Sequence, residues 1–394
     1  MSKRPFRKLA IIGHTYAIAH NREKAAALSR HYDVSCIVPV GKNVVLMGQD
    51  LSSFDASEEP EGEHVVHELR ASGSIDDATR QYYYGLGELL DEIRPDIILC
   101  EAEPWAVVRW QAAMWARKSR SPRTLFCEFT WENVRRPGLK GGILDLAYAA
   151  AARTGHLVVC GNDAAVDLFV RAGKPREHCL KAPQLGVPDE GYAIATEAQK
   201  RRWRKESGLP ADALVVGFCG RFTESKGVSN LIAAVRSIRE TSDREVVLAF
   251  LGAGEMKDEI SSEIDGFGAI LPPVPHREVP HIMSHWDILV LPSTPVITGD
   301  ACWEEQYGRV LIEAMAAGVP ALGSSSGAIP EVVRFPEAVF RHGDASHLTE
   351  VLGSYVSDPV GLKDLWERQY AYVMDECTDS RLAARYAEFL DAHV

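Results

Sequence analysis

Short apolar runs and amphipathic stretches alternate along most of this chain. Leu9–Ile12, Val34–Val38, Asp96–Cys100, Thr124–Phe129 and His156–Cys160 are dominated by apolar residues in continuous runs, with Val65–Leu69 a weaker case inside the polar stretch 41–75. Continuous rather than alternating runs are the mark of strands buried on both faces, as in a parallel sheet. Between them Asn21–His31, Ile75–Ile93, Val107–Lys118 and Asp145–Arg153 read as helices, and the Tyr82-Tyr83-Tyr84 run falls inside the second of these. The β-α-β order predicts a doubly wound α/β domain.

Residues 183–193, PQLGVPDEGYA, break the pattern with two prolines and two glycines and read as a linker. A second series follows: Leu214–Cys219, Val246–Leu251, Ile270–Val274, Ile288–Leu291 and Ala321–Leu322 as strands, with helices between. Val228, Leu231, Ile232, Val235 and Ile238 recur at helical spacing, as do Val310, Leu311, Ala314 and Met315. Gly318 and Pro320 close the latter helix. The basic run KRRWRK at 200–205 reads as a solvated helix face, and the amphipathic stretch Ser380–Ala392 is expected to cross back onto the first domain. The expected division is 1–188 and 189–377, with 378–394 packing on the first part.

Doubly wound sheets bind ligands beyond the carboxyl ends of their strands. In the second series Gly308 opens a helix whose first amides have no partner and carry partial positive charge, a place for a phosphate. Glu305 and Glu313 flank that point, one in the preceding loop and one on the second turn. Carboxylates repel a phosphate, so they fit there by accepting hydrogen bonds from neutral hydroxyls of the same ligand. A phosphate flanked by sugar hydroxyls is a nucleotide sugar. In GRFTESKG, Gly220 and Gly227 bound a loop carrying Arg221 and Lys226 at the start of another helix, which is a diphosphate grip or, more plainly, two surface cations.

The spacing Glu305-x7-Glu313 with Gly308 inside it, followed by AMAAGVP and SSSGAIPE, resembles the donor-site signature of the retaining GT-B glycosyltransferases of family GT4. GRFTESKG, the Pro292-Ser293 turn and QLGVP at 184–188 are similar to the same family. The resemblance implies a GT-B α/β fold, two doubly wound Rossmann-like domains facing a cleft. It also implies transfer of a sugar from a nucleoside diphosphate to an acceptor hydroxyl with retained configuration. By that resemblance Glu305 touches the transferred sugar, Glu313 holds the ribose, and Arg221 and Lys226 neutralise the leaving diphosphate. Gly220, Tyr307, Gly308, Arg309 and Val310 complete the expected donor site, and the base would lie near Leu271–His276. UDP- or GDP-sugars are the expected donors.

Composition narrows the setting. A net charge of −12 argues against general nucleic-acid affinity. Eight cysteines stand singly with no C-x-x-C pair, so reduced thiols and a cytoplasmic setting are expected. The apolar run after MSKRPFRK is too short for a signal peptide, and at most a peripheral membrane contact through Lys3, Arg4, Arg7 and Lys8 is expected. There is no D-x-D pair and no histidine–carboxylate cluster at ligand spacing, so neither a metal nor any cofactor beyond the sugar nucleotide is expected.

One departure concerns the acceptor. Where many of the family carry His-Glu-Pro at a strand end, this chain has Ala102-Glu103-Pro104. The acceptor-side candidates are then Glu103, also a catalytic candidate, with His14, Glu132 and Asn133, all near strand ends. Two other functions stay open: an isomerase similar to nucleotide-sugar 2-epimerases, and a non-catalytic nucleotide-sugar-binding subunit.

Overall fold

The computed structural model describes residues 6–40, 45–46, 49–50, 62–72, 79–118, 124–133, 136–298 and 301–394. The chain forms two units, Met1–Gly186 with Asp379–Val394, and Val187–Thr378.

The first unit is built on a sheet whose strands are β1 (Lys8–Ile12), β2 (Asp33–Val40), β3 (His64–Ser72), β4 (Tyr82–Tyr83), β5 (Ile97–Glu101), β6 (Leu125–Thr130), β7 (Leu157–Cys160) and β8 (Cys179–Lys181). Their order is β8-β7-β6-β5-β1-β2-β3-β4. All neighbours run parallel except the edge pair, where Ala71 and Ser72 face Tyr83 and Tyr82 in antiparallel register. Alternate residues of each strand enter different layers. Leu9, Ile11, Ile97 and Leu99 pack with Tyr386 and Leu390 of the final helix, Asp379–Asp391. Ala10, Ile12, Ile98 and Cys100 pack with Leu86, Leu90, Val108 and Ala112. Two covered faces require the continuous apolar runs seen in the sequence. The final helix is tied in by polar contacts as well: Tyr386 Oη donates to the Pro183 carbonyl at 3.1 Å and Arg385 Nη2 to that of Lys181 at 2.7 Å.

The second unit carries β9 (Leu214–Cys219), β10 (Val246–Leu251), β11 (Gly268–Leu271), β12 (Ile288–Leu291), β13 (Ala321–Ser324) and β14 (Val339–Phe340), all parallel, in the order β11-β10-β9-β12-β13-β14. Trp286 is fully buried over β9, where a Cβ on Gly217 would lie 1.9 Å from its ring. In both units the strand order reverses at one place, between β1 and β5 and between β9 and β12.

Several elements differ from the sequence expectation. The helix expected over Asn21–His31 covers only Glu23–Leu28, after two 3-10 turns, His14–Ala17 and Ala19–Arg22. Asn21 Nδ2 donates to the Thr15 carbonyl at 2.8 Å, which tightens this turn pair in place of a regular helix. The helix expected over Ile75–Ile93 covers Leu86–Ile93, while Tyr82 and Tyr83 form the edge strand, and residues 75–78 lie outside the described ones. Gly85, at φ 79° in the left-handed region, divides strand from helix. The helix expected over Asp145–Arg153 is longer, Gly138–Thr154. In the basic run Arg204 is buried, with Nη2 donating to both Asp287 oxygens at 3.0 and 2.8 Å, and Lys200 Nζ donates to the Trp286 carbonyl at 3.1 Å. That run is therefore solvated only in part. Among the described residues no helix is long and apolar enough to cross a membrane.

Candidate active site

In the second unit, loops from three neighbouring strands meet at the reversal point. The loop after β9 ends at Gly227, φ 64°, where a Cβ would sit 2.0 Å from the Pro292 carbonyl oxygen. Only glycine allows this approach, and it brings Lys226 beside the loop after β12. The Thr294 amide donates to the Ser225 carbonyl at 2.9 Å and ties the two loops. Lys226 Nζ bonds Glu305 Oε2, and Ser293 Oγ donates to the same oxygen at 2.8 Å. Ser324, at the end of β13, donates from Oγ to the Ser293 carbonyl at 2.5 Å. The Glu305 carbonyl in turn accepts from the Ala328 amide at 2.9 Å. Glu305 is thus held through both its side chain and its backbone.

Gly308 lies three residues on, at φ 79°, directly before the helix Arg309–Ala316. A Cβ there would meet Leu291 Cδ2 at 2.8 Å, so the open helix N-terminus depends on glycine. The amides of Arg309 and Val310 open the helix and precede its i→i−4 bonds. One turn further in, Glu313 is buried. Its Oε1 lies 3.0 Å from Arg309 Nε and 3.7 Å from His276 Nε2, yet receives no hydrogen bond among the described residues. Burial holds the His276 imidazole below its usual pKa, against the raising effect of Glu313. Cys219, at the end of β9, is pushed up to about 12 by burial and by the Glu313 charge. Arg221 is exposed at the start of the same loop and forms no ion pair among the described residues.

In the first unit the reversal point is arranged differently. The Glu103 side chain does not cap the helix Val107–Lys118 but crosses to the end of β6. There it accepts from Thr130 Oγ1 at 2.5 Å and from the Trp131 amide at 3.3 Å. Burial raises its pKa to about 7; the Thr130 and Trp131 hydrogen bonds oppose this, and the Glu132 charge adds to it. Thr130 Oγ1 also accepts from the Glu132 amide at 3.1 Å, which gathers the two carboxylates. Glu132 is buried, with Arg136 Nη2 at 3.4 Å. Asn133 follows on the same loop. His14 opens the turn after β1, and burial lowers its pKa to about 4, so it is neutral at pH 7.

A further buried group lies in this unit. Lys24 and Glu101 form an ion pair with neither side chain exposed. Gln184 Nε2 donates to Glu101 Oε2 at 2.6 Å and to Thr15 Oγ1 at 3.1 Å, while its Oε1 accepts from Trp131 Nε1 at 3.0 Å. Ser293 lies in the Pro-Ser turn and Ser324 opens the SSSGAIPE run, but a hydroxyl partner has no sequence spacing that would pair the two.

Two doubly wound halves of this kind are the GT-B fold. Residues 199–371 match the family described as Glycosyl transferases group 1. The 2-deoxystreptamine N-acetyl-D-glucosaminyltransferase of Streptomyces fradiae is 29% identical over 159 residues, 38% of this chain and 36% of that protein. The chain matches less than half the length of the curated relatives it resembles. Among solved structures, a glycosyltransferase from Rickettsia africae superposes with TM-score 0.73 at 12% identity, covering 99% of each chain. HepE of Anabaena in complex with UDP gives 0.70 at 15%, covering 98% of this chain and 100% of that one.

Proposed function

We propose that this chain is a retaining, metal-independent glycosyltransferase of the GT4 kind that moves a sugar from a nucleoside-diphosphate sugar to an acceptor hydroxyl in glycan or glycoconjugate synthesis. The observation that carries the reading is the Glu305 carboxylate, fixed by Lys226 and Ser293 beside the open helix N-terminus at Gly308. A carboxylate so held is an acceptor for sugar hydroxyls, and the lysine beside it is a cation for the phosphate next to that sugar. The names of the relatives support the class of reaction, and the UDP in HepE supports a uridine donor.

In the reaction the acceptor oxygen bonds to the anomeric carbon as the bond from that carbon to the diphosphate breaks. The acceptor proton passes to the departing phosphate oxygen on the same face, which keeps the configuration. Negative charge grows on the diphosphate, and Lys226, Arg221 and the amides of Arg309 and Val310 offset it where it forms. The buried Glu313 Oε1, which receives no hydrogen bond among the described residues, accepts from the ribose. Glu103, with its carboxyl near 7, orients the acceptor hydroxyl.

The test is incubation with UDP- and GDP-sugars and a panel of hydroxyl acceptors in the presence of EDTA, with the product anomer read by NMR. A product of retained configuration supports the reading. An inverted anomer, or transfer that needs added Mg²⁺ or Mn²⁺, counts against it.

A further inference from the structure

A cavity of about 350 Å³ lies at the start of β6 and β7, the end of the first sheet away from Thr130 and Trp131. Leu125 and Leu157, the first residues of the two strands, form part of its wall. Lys174, His156, His178 and His393 also line it, and no carboxylate does so among the described residues. β6 runs six residues from Leu125 to Thr130, so at ~3.3 Å per residue the cavity is roughly 16 Å from the Glu103 hydrogen bonds. The candidate active site therefore does not account for these four basic groups.

Lys174 is the anchor. Its side chain is buried, and Nζ donates to the Gly155 carbonyl at 2.7 Å and to that of His156 at 3.3 Å. An ammonium has three N–H donors, and the third meets no acceptor among the described residues. Burial lowers the Lys174 pKa, against the raising charge of Glu128. Both Glu128 oxygens, however, bond Arg109, at 2.9 and 3.1 Å, so Glu128 is already the partner of another cation. A buried cation without a counterion of its own is costly, and an anion in the adjoining cavity offsets that cost. The imidazoles add donors. His156 Nδ1 accepts from the Phe126 amide at 2.9 Å, which leaves the ring proton on Nε2. The His178 and His393 rings meet edge-on with centroids 5.3 Å apart.

Charge and size decide the ligand class. An ammonium repels a metal ion, and among the described residues the three imidazoles do not converge closely enough to share one. A carboxylate offers one charge and two oxygens. A phosphomonoester carries close to two charges at pH 7 on three oxygens, and so accepts from an ammonium and several ring nitrogens together. The cavity has the volume of roughly ten waters at ~30 Å³ each, more than a phosphate group fills, and its remaining wall is aliphatic. We propose that this cavity binds a small phosphomonoester, its phosphate held by Lys174, His156 and the His178–His393 pair and its organic body against Leu125 and Leu157.

The site is tested apart from sugar transfer, by calorimetric titration of the full-length protein with phenyl phosphate, inorganic phosphate and phenol. The wild type should bind phenyl phosphate, inorganic phosphate more weakly and phenol not measurably. The double variant His178→Asn, His393→Asn changes two exposed side chains, so it should keep the wild-type melting temperature while phenyl phosphate binds about tenfold more weakly or worse. Lys174→Met should lose binding altogether, and the histidine variant keeps the test sound if that protein fails to fold. Lys226→Ala, at the candidate donor site, should bind phenyl phosphate as the wild type does, whether or not the chain transfers a sugar. No binding by the wild type, equal binding by the histidine variant, or binding lost in Lys226→Ala overturns the proposal. Equal affinity for inorganic phosphate and phenyl phosphate overturns it too, by assigning the cavity to the free anion.

Discussion

Two carboxylates near the reversal points of this molecule, Glu305 and Glu103, are held in opposite ways. At the one between β9 and β12, Glu305 is bonded to a lysine and a serine. At the one between β1 and β5, Glu103 is held by a hydroxyl and an amide, beside the like charge of Glu132, and its pKa rises to about 7. A carboxylate beside a cation is a fixed acceptor, suited to a ligand that must be gripped in one pose. A carboxyl poised between its charged and neutral forms is suited to a hydroxyl whose proton is to move. The two carboxylates therefore differ in what their neighbours supply, a lysine and a serine for Glu305 and a hydroxyl and an amide for Glu103.

The largest effect should come from removing that lysine. Lys226→Ala should lower turnover by ~10²-fold or more, since the charge on the departing diphosphate loses a neighbouring cation. Unchanged turnover in steady-state assays would remove the contrast between the two sites. Gly308→Ala should come next, at about 2–3 kcal/mol of stability, because the left-handed backbone and the Leu291 contact at 2.8 Å both oppose a Cβ. Chemical denaturation measures it, and a cost near zero would mean that the helix entry is not built on glycine. Glu313→Gln should weaken bare UDP about tenfold by calorimetry, as a charged acceptor for ribose hydroxyls is lost.

The smallest effect sharpens the other side. A carboxyl whose pKa rises from 4.5 to about 7 binds its proton more tightly in the fold, so its contribution is fully present below 4.5 and declines as pH rises toward 7. Glu103→Gln removes that dependence. The variant should gain on the wild type by about 1–2 kcal/mol between pH 5 and pH 8, measured as parallel denaturation curves at each pH. A difference that stays flat over that range would place Glu103 among ordinary carboxylates.

The strands were legible because a parallel sheet covered on both faces needs unbroken apolar runs, and Leu214–Cys219, Val246–Leu251 and Ile288–Leu291 have the bounds read from the sequence. The helix around Val310 was legible from its stripe and from the glycines at its two ends. Where local preference and tertiary pairing compete, the reading failed. Tyr82 and Tyr83 continue a helical pattern on paper, yet they pair with Ala71 and Ser72. Arg204 looked solvated because its partner, Asp287, lies 83 residues away. The same distance problem hides the site's supports: Lys226 and Glu305 are 79 residues apart, and Gln184 and Thr15 are 169. Glycine positions and carboxylates at strand ends mark where chemistry can occur, but hydrogen-bond partners supplied by other strands become visible only in the fold.

On the proposed function, the Glu305–Lys226 pair grips the sugar and diphosphate of a nucleotide-sugar donor. Calorimetric titration of the wild type and Glu305→Gln with a UDP- or GDP-sugar, and with the matching bare nucleoside diphosphate, tests it most directly. Glu305→Gln should bind the bare nucleotide as the wild type does and bind the intact donor about tenfold more weakly. Equal losses for both ligands, or no binding of either nucleotide to the wild type, would contradict it.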